Sequence, residues 1–381
     1  MIYFDNSATT KPHQDVLDAY IKVSSDMYGN ASSLHNFGGK SEQLLTRARE
    51  QIANLCDVKP AEIYFTSGGT EGNNLAIKGA AFMHRGRGNH IITTAIEHPS
   101  VKEPCEQLKS MGFDITYLPV NKNGVVSVFD LKAAITEQTT LVSIMYVNNE
   151  TGSIQPIGEI GRLLKNYPKI LFHVDFVQAA GKLPIDIYEL FLDLCTFSAH
   201  KFHGLKGTGF LFKRQGVKLE PLISGGNQEL KMRSGTENTG GIVAMAKALR
   251  LVELNRKNKG AELLRIHRFL YDRLQAIPSI IIHTPVIAAP HIINFSAQGL
   301  KGEVLVHALE EEGIVLSTTS ACSSKDKLPS TTLKSMGVSG ELAIGAVRIS
   351  LSYGNTLEEA EIFFQALSKI LQRLNKVMRR I

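Results

Sequence analysis

Short apolar runs alternate with amphipathic stretches through the first half of the chain. The apolar runs, which predict buried strands, are Glu62–Thr66, His90–Thr94, Ile115–Leu118, Leu141–Val147, Ile170–Asp175 and Leu194–Ser198. Helical patterns separate these runs, and two more helices are predicted before them, from about Gln14 and over Lys40–Cys56. This alternation is typical of βαβ units and predicts a mostly parallel sheet.

The second half of the chain begins with helices and continues with short strands. Two long helical patterns run from about Glu237 to near Ala276, and strands are predicted at His291–Phe295 and Val347–Leu351. Further helices interleave with these strands. We therefore expect a second, smaller α/β domain.

The composition is typical of a soluble globular protein of 381 residues, 43% hydrophobic and 20% charged. No apolar stretch approaches the roughly 20 residues of a membrane span, and the N-terminus lacks the pattern of a secretory signal. The four cysteines lie far apart without a CxxC pair, which argues against a disulfide framework or a zinc site: Cys56, Cys105, Cys195 and Cys322. We expect a cytoplasmic protein with reduced thiols and no membrane association.

The net charge of +6 is spread along the chain, with one basic cluster near the C-terminus. Its members are spaced as on the polar side of a helix: Lys369, Arg373, Lys376, Arg379 and Arg380. A solvated helix face explains this spacing, and a docking surface for an acidic partner or tRNA stays open. The sequence contains no zinc finger or other nucleic-acid module, so we expect no direct DNA binding.

A lysine follows the last of the predicted buried strands. Lys201 lies between two histidines in the stretch Phe197–Gly204, where the apolar run ends. Loss of hydration at such a position lowers a lysine pKa from about 10.4 towards neutrality and leaves a free amine. A free amine is what a Schiff base with a carbonyl cofactor requires. The alternative is a lysine that extends to the surface.

Other polar residues also follow predicted strands. The stretch Thr66–Gly72 is rich in glycine and leads into a predicted helix over Asn73–Met83, which suits either an anion site or a tight turn with a helix cap. The later strands are followed by a histidine, an amide and an acid with a glutamine one helical turn on: His98, Asn149, Asp175 and Gln178. Because ligands bind at the carboxyl ends of strands in open α/β sheets, we expect these residues to meet.

This set of groups suits a pyridine aldehyde phosphate. Such a cofactor needs an acid at its pyridinium nitrogen, a donor to its phenolic oxygen, a stacking ring, a phosphate cradle and an amine. A metal is the competing hypothesis, because His173-x-Asp175 and His200-x-x-His203 contain plausible ligands. No cluster with known metal spacing completes either pair, so the metal hypothesis is the weaker one.

Sequence motifs along nearly the whole chain resemble those of the cysteine desulfurases, pyridoxal-phosphate enzymes of the class V aminotransferase superfamily. The matching motifs are Asp5–Thr10, Asn30–His35, Thr66–Glu71, Glu97–His98, Asn148–Gly152, Gln155–Ile157, Ser198–Lys201, Arg233–Asn238, Ser320–Ser324 and Arg348–Ser350. The resemblance implies fold type I: a large domain with a mainly parallel sheet and a small C-terminal α/β domain, assembled as a homodimer. We place the large domain at residues 15–255 and the small one at residues 1–14 and 256–381.

The resemblance also implies a role for each matching residue. Lys201 would form the Schiff base, Asp175 would pair with the pyridinium nitrogen of pyridoxal 5′-phosphate, and Gln178 would donate to its phenolic oxygen. His98 would stack on the ring and handle the proton of the substrate thiol. The phosphate would be held by Gly69, Thr70, Ser198, His200 and, from the other subunit, Thr236. Asn149 and Arg348 would hold the substrate carboxylate.

The remaining catalytic residue implied by the resemblance is Cys322, which would take the sulfur of L-cysteine as a persulfide while L-alanine leaves. The polar, charged residues around it are typical of an exposed loop and resemble the long-loop branch of the family. The chain departs from the usual family pattern at three loop positions, Ala31, Leu205 and Thr319, none of which removes a reacting group.

The sulfur would pass to acceptor proteins for iron–sulfur cluster assembly or for tRNA or thiocofactor thiolation. Which acceptor is used stays open, as does activity on selenocysteine. Two alternatives remain as well: another class V reaction, such as transamination or elimination by a lyase, and a non-catalytic scaffold that binds sulfur-transfer partners.

Overall fold

The computed structural model describes residues 1–318 and 329–378, with side chains up to residue 374. Its strands are β1 (Ile2–Tyr3), β2 (Ile63–Thr66), β3 (His90–Thr94), β4 (Asp114–Leu118), β5 (Thr139–Met145), β6 (Leu171–Asp175), β7 (Leu194–Ser198), β8 (Gly209–Lys213), β9 (Ile280–Ile282), β10 (Ile292–Ala297), β11 (Ile314–Val315), β12 (Ser317–Thr318) and β13 (Ala346–Ser350). Its helices are α1 (Gln14–Asp26), α2 (Asn36–Leu55), α3 (Gly69–His84), α4 (Pro99–Ser110), α5 (Val128–Ala134), α6 (Ile157–Leu164), α7 (Thr239–Gln275), α8 (Gly302–Glu311), α9 (Thr331–Ser335), α10 (Gly340–Ile344) and α11 (Leu357–Met378).

The larger sheet has seven strands in the order β2-β8-β7-β6-β5-β3-β4. The strands from β7 to β4 pair in parallel, which confirms the predicted mostly parallel sheet. The six strands predicted from the apolar runs are present, with ends that differ by two residues or fewer. Strand β8, which lies antiparallel between β2 and β7, was not predicted from the sequence. Gly204 and Gly207 precede β8, and glycines at such a spacing are typical of a loop.

The prediction of two long helical patterns after Glu237 is wrong, because α7 is one continuous helix of 37 residues. Residues 257–259, in the middle of this helix, are polar and exposed. The apolar periodicity is therefore interrupted there, although the backbone stays helical. The helix passes the predicted domain boundary at residue 255 without a break. The domain bounds themselves stay a prediction.

A smaller antiparallel sheet, in the order β12-β13-β10-β9, accounts for the strands predicted near His291 and Val347. The chain's start joins this region, because β1 pairs in parallel with β11 and Asp5 bridges to Ser350. The first residues therefore lie beside β12 and β13, which is why an N-terminal motif reaches a site built mainly by later segments.

Stacked aromatic side chains fill the core beneath the ends of β6, β7 and β8. The Phe197 and Phe210 rings stack with centroids 4.2 Å apart, and the fully buried Phe176 ring lies 5.1 Å from that of Phe197. This packing gives the loops after these strands a rigid support.

Among the described residues, no helix combines the length and the apolar character needed to cross a membrane. In the basic C-terminal cluster, Lys369 pairs with Glu312 at 3.1 Å and Arg373 with Glu311 at 3.6 Å, both on the surface. The side chains of Lys376, Arg379 and Arg380 lie outside the described residues, as do Thr319 and Cys322.

Candidate active site

Lys201 lies three residues beyond the end of β7, at the end of a single 3₁₀ turn over Ala199–Lys201. Its Nζ donates to two backbone carbonyls of the N-terminal segment, Ser7 O at 2.6 Å and Ala8 O at 2.8 Å. The predicted position at a strand end is confirmed. The N-terminal segment therefore covers the lysine and orients its amine.

Asp175 ends β6 and is buried, with 6% of its surface exposed. Asn73 Nδ2 donates to its Oδ2 at 2.8 Å, and the Val177 backbone N–H donates to its Oδ1 at 2.9 Å. Each oxygen of this buried carboxyl group therefore accepts a hydrogen bond. The neighbouring β7 brings this carboxylate and Lys201 to the same edge of the sheet.

His98 caps the N-terminus of α4, where its Nδ1 accepts the backbone N–H of Ser100 at 3.1 Å. The Ser100 Oγ lies 2.8 Å from the same nitrogen, and Asn73 Nδ2 donates to this Oγ at 2.8 Å. Burial lowers the pKa of His98; the Asp175 carboxylate opposes this and the Lys201 cation adds to it. We call the connected side chains Asp175, Asn73, Ser100 and His98 the ring network.

The glycine-rich loop after β2 turns sharply into α3. Gly68 has φ +148°, a conformation that favours glycine, and the helix begins at Gly69 rather than at the predicted Asn73. A Cβ on Gly69 would lie 3.0 Å from Val177 Cγ2 and 3.4 Å from Ser198 Cβ, so the loop packs closely on the ends of neighbouring strands. The first backbone N–H groups of α3 have no acceptor within the helix, which suits an anion.

The Glu71 carboxylate stabilises the glycine-rich loop. Glu71 accepts from the Ser67 backbone N–H at 2.9 Å and pairs with Arg233 at 2.9 Å. Burial favours a higher pKa for Glu71, but the hydrogen bonds from Arg233 and Ser67 outweigh it and hold that pKa below its usual value. The loop shape is therefore fixed by residues outside the predicted phosphate-binding set.

Two of the residues predicted to hold the phosphate, Thr70 and Thr236, line different cavities. Thr70 and His98 line one of about 320 Å³ beside α3 and α4. Thr236 lines another of about 130 Å³, together with Ser67 and Arg233 of the same chain. Thr236 therefore lies near the start of the glycine-rich loop of its own chain but in a different cavity from Thr70.

Gln178 and His200 both contact the N-terminal segment. Gln178 Nε2 donates to Ser7 O at 3.0 Å, the same carbonyl that Lys201 contacts. His200 Nδ1 lies 3.2 Å from Thr9 Oγ1, and burial, with Lys201 and other nearby cations, lowers its pKa to about 4. His200 is therefore neutral near pH 7 and can donate or accept a hydrogen bond there.

Arg348, in β13, is surrounded by acceptors from three other segments. Its Nη1 donates to Asn149 O at 2.9 Å, and its Nη2 donates to Asp5 Oδ1 and Ser317 Oγ, each at 3.0 Å. Ser317 Oγ also donates to Asp5 Oδ1 at 2.8 Å. The Arg348 Nε is buried without a hydrogen-bond partner among the described residues. We call Arg348, Asp5, Ser317 and Asn149 the arginine cluster.

One buried glutamate lies behind each of these two regions. Glu97 accepts from Thr94 Oγ1 at 2.7 Å and from the Met145 backbone N–H at 3.0 Å, and burial raises its pKa to about 8. Glu150 accepts from Ser330 Oγ. Burial raises the Glu150 pKa to about 6, while Ser330 and the Arg348 cation limit the rise. The nearby cation distinguishes the second glutamate from the first.

Three of the four cysteines are buried: Cys56, Cys105 and Cys195. Burial raises the thiol pKa of each of them, that of Cys105 to about 12. These three thiols therefore lie in the core. Cys322 lies outside the described residues, so its role rests on the sequence.

The metal hypothesis finds no support in the described part of the chain. His173 Nδ1 lies 2.8 Å from Ser143 Oγ and its Nε2 lies 3.0 Å from Thr196 Oγ1, so both ring nitrogens bind hydroxyls. Residues 1–318 and 329–378 contain no group of three or more His, Cys, Asp or Glu placed to hold a metal ion.

Four residues that contact predicted site residues were not assigned a role from the sequence: Asn73, Ser100, Asp5 and Ser317. The sequence predicts Asn73 only as the start of a helix, and Asp5 only as the first residue of a motif that resembles the family. The one signal available for Ser100 was its place two residues after His98, in the first turn of α4.

The chain has extensive similarity to known proteins. The family model for class V aminotransferases matches residues 2–363. A NifS/IcsS protein homolog of Lactobacillus delbrueckii subsp. bulgaricus is 49% identical over 99% of each chain, and a cysteine desulfurase IscS of Methanosarcina thermophila is 42% identical over 99% of this chain and 93% of its own. A solved structure described as a NifS-like protein superposes with a TM-score of 0.92 at 38% identity, over 97% of this chain and 99% of the other.

Proposed function

Because the chain belongs to the class V aminotransferase family and, within it, to the cysteine desulfurases, we propose that it removes sulfur from L-cysteine with pyridoxal 5′-phosphate and releases L-alanine. The observation that carries this proposal is the meeting of Lys201, Asp175 and His98 at the strand ends of one sheet. Asp175 connects to His98 through Asn73 and Ser100, and it ends the strand that pairs with β7, which leads to Lys201.

The residues at this site fit the cofactor. An amine, a buried acid with two donors and a tight glycine turn at a helix N-terminus are the groups that a phosphorylated pyridine aldehyde needs. Lys201 would hold its carbonyl carbon, Asp175 its ring nitrogen and Gln178 its phenolic oxygen. Gly69, Thr70, Ser198 and His200 would hold its phosphate. When bound, the cofactor withdraws electrons from the substrate carbon.

The remaining site residues bind the substrate and move its protons. Arg348 and Asn149 hold the substrate carboxylate, for which the buried Arg348 Nε–H supplies a donor without another partner among the described residues. Lys201 moves the proton at the substrate Cα. His98 would stack on the cofactor ring, and the resemblance implies proton transfer between it and the substrate thiol.

Cys322 takes the sulfur. Its thiolate attacks the substrate sulfur, so that a sulfur–sulfur bond forms while the substrate Cβ–sulfur bond breaks. The electron pair of the broken bond stays on Cβ, which takes up a proton and leaves as part of L-alanine. The buried Cys56, Cys105 and Cys195 are unsuited to this role, because burial disfavours their thiolates.

The active form is a homodimer in which Thr236 reaches the phosphate of the partner's site. Large exposed apolar side chains in the N-terminal part support an interface, among them Ile21, Tyr28 and Leu34, which are 59%, 77% and 106% exposed. The persulfide passes to a sulfur acceptor in the cytoplasm, either an iron–sulfur scaffold protein or a tRNA-thiolation enzyme.

Product analysis tests the reaction. The purified protein, incubated with L-cysteine, pyridoxal phosphate and dithiothreitol, should release L-alanine and sulfide in equal amounts. Pyruvate in place of alanine would indicate a lyase, a keto acid that depends on an acceptor would indicate a transaminase, and no turnover would indicate a scaffold. Any of these three results would overturn the proposal.

A further inference from the structure

We propose that Asn73 and Ser100 are positioning residues that fix His98 as a hydrogen-bond donor through Nε2. This inference rests on the proposed function and specifies how His98 meets the cofactor or the substrate. It differs from the expectation that His98 accepts the proton of the substrate thiol. Its basis is the direction of each hydrogen bond in the ring network.

The backbone N–H of Ser100 sets the first constraint. It points at His98 Nδ1 at 3.1 Å, and an amide N–H can only donate. Nδ1 must therefore offer a lone pair. A neutral imidazole carries one proton, so that proton is on Nε2.

Asp175 supports the same state from the other end of the ring network, by fixing the orientation of Asn73. Its carboxylate accepts from Asn73 at 2.8 Å, which requires the amide nitrogen of Asn73, and not its oxygen, to face this point. The same nitrogen lies 2.8 Å from Ser100 Oγ and donates its second hydrogen there. The hydroxyl accepts this bond, so its own hydrogen is free to donate to His98 Nδ1 at 2.8 Å.

Burial stabilises the directions of the hydrogen bonds in the ring network. Asn73 is fully buried, Asp175 is 6% exposed and Ser100 is 8% exposed, so bulk water cannot readily replace one partner. A proton on Nδ1 would meet both the Ser100 N–H and the Ser100 hydroxyl hydrogen. Burial also lowers the pKa of His98, which agrees with a neutral ring.

The consequence concerns the chemistry of His98. A ring with its proton on Nε2 has no lone pair at that nitrogen, so it cannot accept a proton there. It can donate a hydrogen bond to an electron-rich atom, such as the sulfur of a substrate thiolate. His98 then stabilises the sulfur anion, and the thiol proton goes to solvent water.

Nitrogen NMR of full-length protein labelled with ¹⁵N-histidine tests the tautomer directly and needs no turnover. The spectrum of His98→Gln assigns the signals by their disappearance. Near pH 7.5 we expect His98 to be neutral, protonated on Nε2 and bare on Nδ1. A proton on Nδ1, or a charged ring, would overturn the proposal.

The part played by Ser100 is tested by titration of the same signals. Ser100→Ala removes one of two hydrogen bonds that favour the neutral ring, so the pKa of His98 should rise, and Ser100→Thr should restore it. Ser110→Ala, at the other end of α4, serves as the matched control and should leave the titration unchanged. Identical titrations in the wild type and Ser100→Ala would contradict the role of Ser100.

Two amide replacements distinguish a donor from a base. Glutamine places an N–H near the Nε2 position and asparagine places it near Nδ1, while neither can accept a proton at neutral pH. His98→Gln should retain roughly ten-fold more alanine release than His98→Asn, about 1.4 kcal/mol. Equal loss in both would exclude the donor role. If the wild type released no alanine, the proposed function would fall while the NMR result still decided the tautomer.

Discussion

The ring network and the arginine cluster are both buried hydrogen-bonded groups, but they differ in how completely their donors are used. In the ring network, both amide hydrogens of Asn73 have acceptors, and the Ser100 backbone N–H makes His98 Nδ1 an acceptor. In the arginine cluster, Arg348 donates three hydrogen bonds through Nη1 and Nη2, but its Nε has no partner among the described residues. Among the described residues, the ring network leaves one buried acceptor, Asn73 Oδ1, without a partner, whereas the arginine cluster leaves one buried donor, Arg348 Nε.

This difference matches two kinds of ligand. A group that stays bound through many turnovers is best held by side chains whose orientation is already fixed, because no reorganisation accompanies each cycle. A substrate carboxylate arrives and leaves in every cycle, so it needs a buried donor that another side chain does not permanently occupy. We infer that the ring network serves the cofactor and the arginine cluster serves the substrate.

The largest expected effect is on the cofactor attachment. Reduction of the purified protein with borohydride should fix pyridoxal phosphate covalently to the peptide that contains Lys201. Lys201→Ala should lose this label and all alanine release, because no other amine is assigned to the cofactor carbonyl. The neighbouring, exposed Lys206→Ala is the control and should keep both. A label that persists in Lys201→Ala would remove the lysine from its proposed role.

Asp175→Ala should disrupt the ring network, because it removes the carboxylate that accepts from Asn73. The variant loses the charge beside the cofactor ring and the acceptor that orients Asn73, so kcat should fall by about a hundred-fold or more, roughly 3 kcal/mol. The fold should survive, as checked by circular dichroism, and the exposed Asp186→Ala should behave like the wild type. Near-normal turnover in Asp175→Ala would contradict the assignment.

Arg348→Lys should affect substrate binding more than turnover. Lysine keeps a positive charge but cannot contact Asn149, Asp5 and a substrate carboxylate together, because it lacks the planar fork of donors. KM for L-cysteine should rise roughly ten- to hundred-fold, about 1.4–2.8 kcal/mol, with a smaller change in kcat. Arg373→Lys is the surface control. An unchanged KM would separate Arg348 from the substrate.

The smallest expected effects are on stability and distinguish the glutamates behind the two regions. An acid whose folded pKa is raised keeps its proton after the unfolded chain has lost its own, so stability falls with rising pH between the two values. For Glu97 this window runs from the ordinary value of 4.5 to about 8, and for Glu150 from 4.5 to about 6.

Urea unfolding at several pH values measures this difference. Glu97→Gln should flatten the fall in stability up to about pH 8, whereas Glu150→Gln should flatten it only up to about pH 6. The exposed Glu103→Gln is the control and should follow the wild type. The same pH dependence in both buried variants would contradict the smaller rise in pKa that the Ser330 hydrogen bond and the Arg348 cation give Glu150.

The two regions also differ in how far the sequence predicted them. Lys201, Asp175 and His98 could be found because each follows an apolar run, and the ends of parallel strands meet at one edge of a sheet. The links between them could not be found, because Asn73 joins Ser100 across 27 positions and Asp175 across 102. No local pattern encodes such a contact.

The arginine cluster was still less predictable from local signals. Asp5 and Arg348 are 343 positions apart and meet only because β1 joins β11 beside the smaller sheet. Similarly, β8 and the unbroken α7 were missed because flanking glycines and an exposed polar stretch interrupted the pattern that each prediction used. Tertiary packing, and not local propensity, decided these cases.

The proposed desulfurase reaction is tested best by identifying the cysteine that receives the substrate sulfur. The protein is treated with one equivalent of L-cysteine without a reductant, alkylated, digested and mapped for persulfide by mass spectrometry, beside Cys322→Ser. We expect a persulfide on Cys322 in the wild type. Cys322→Ser should form none, although it retains cofactor binding. A persulfide on Cys56, Cys105 or Cys195 instead would contradict it.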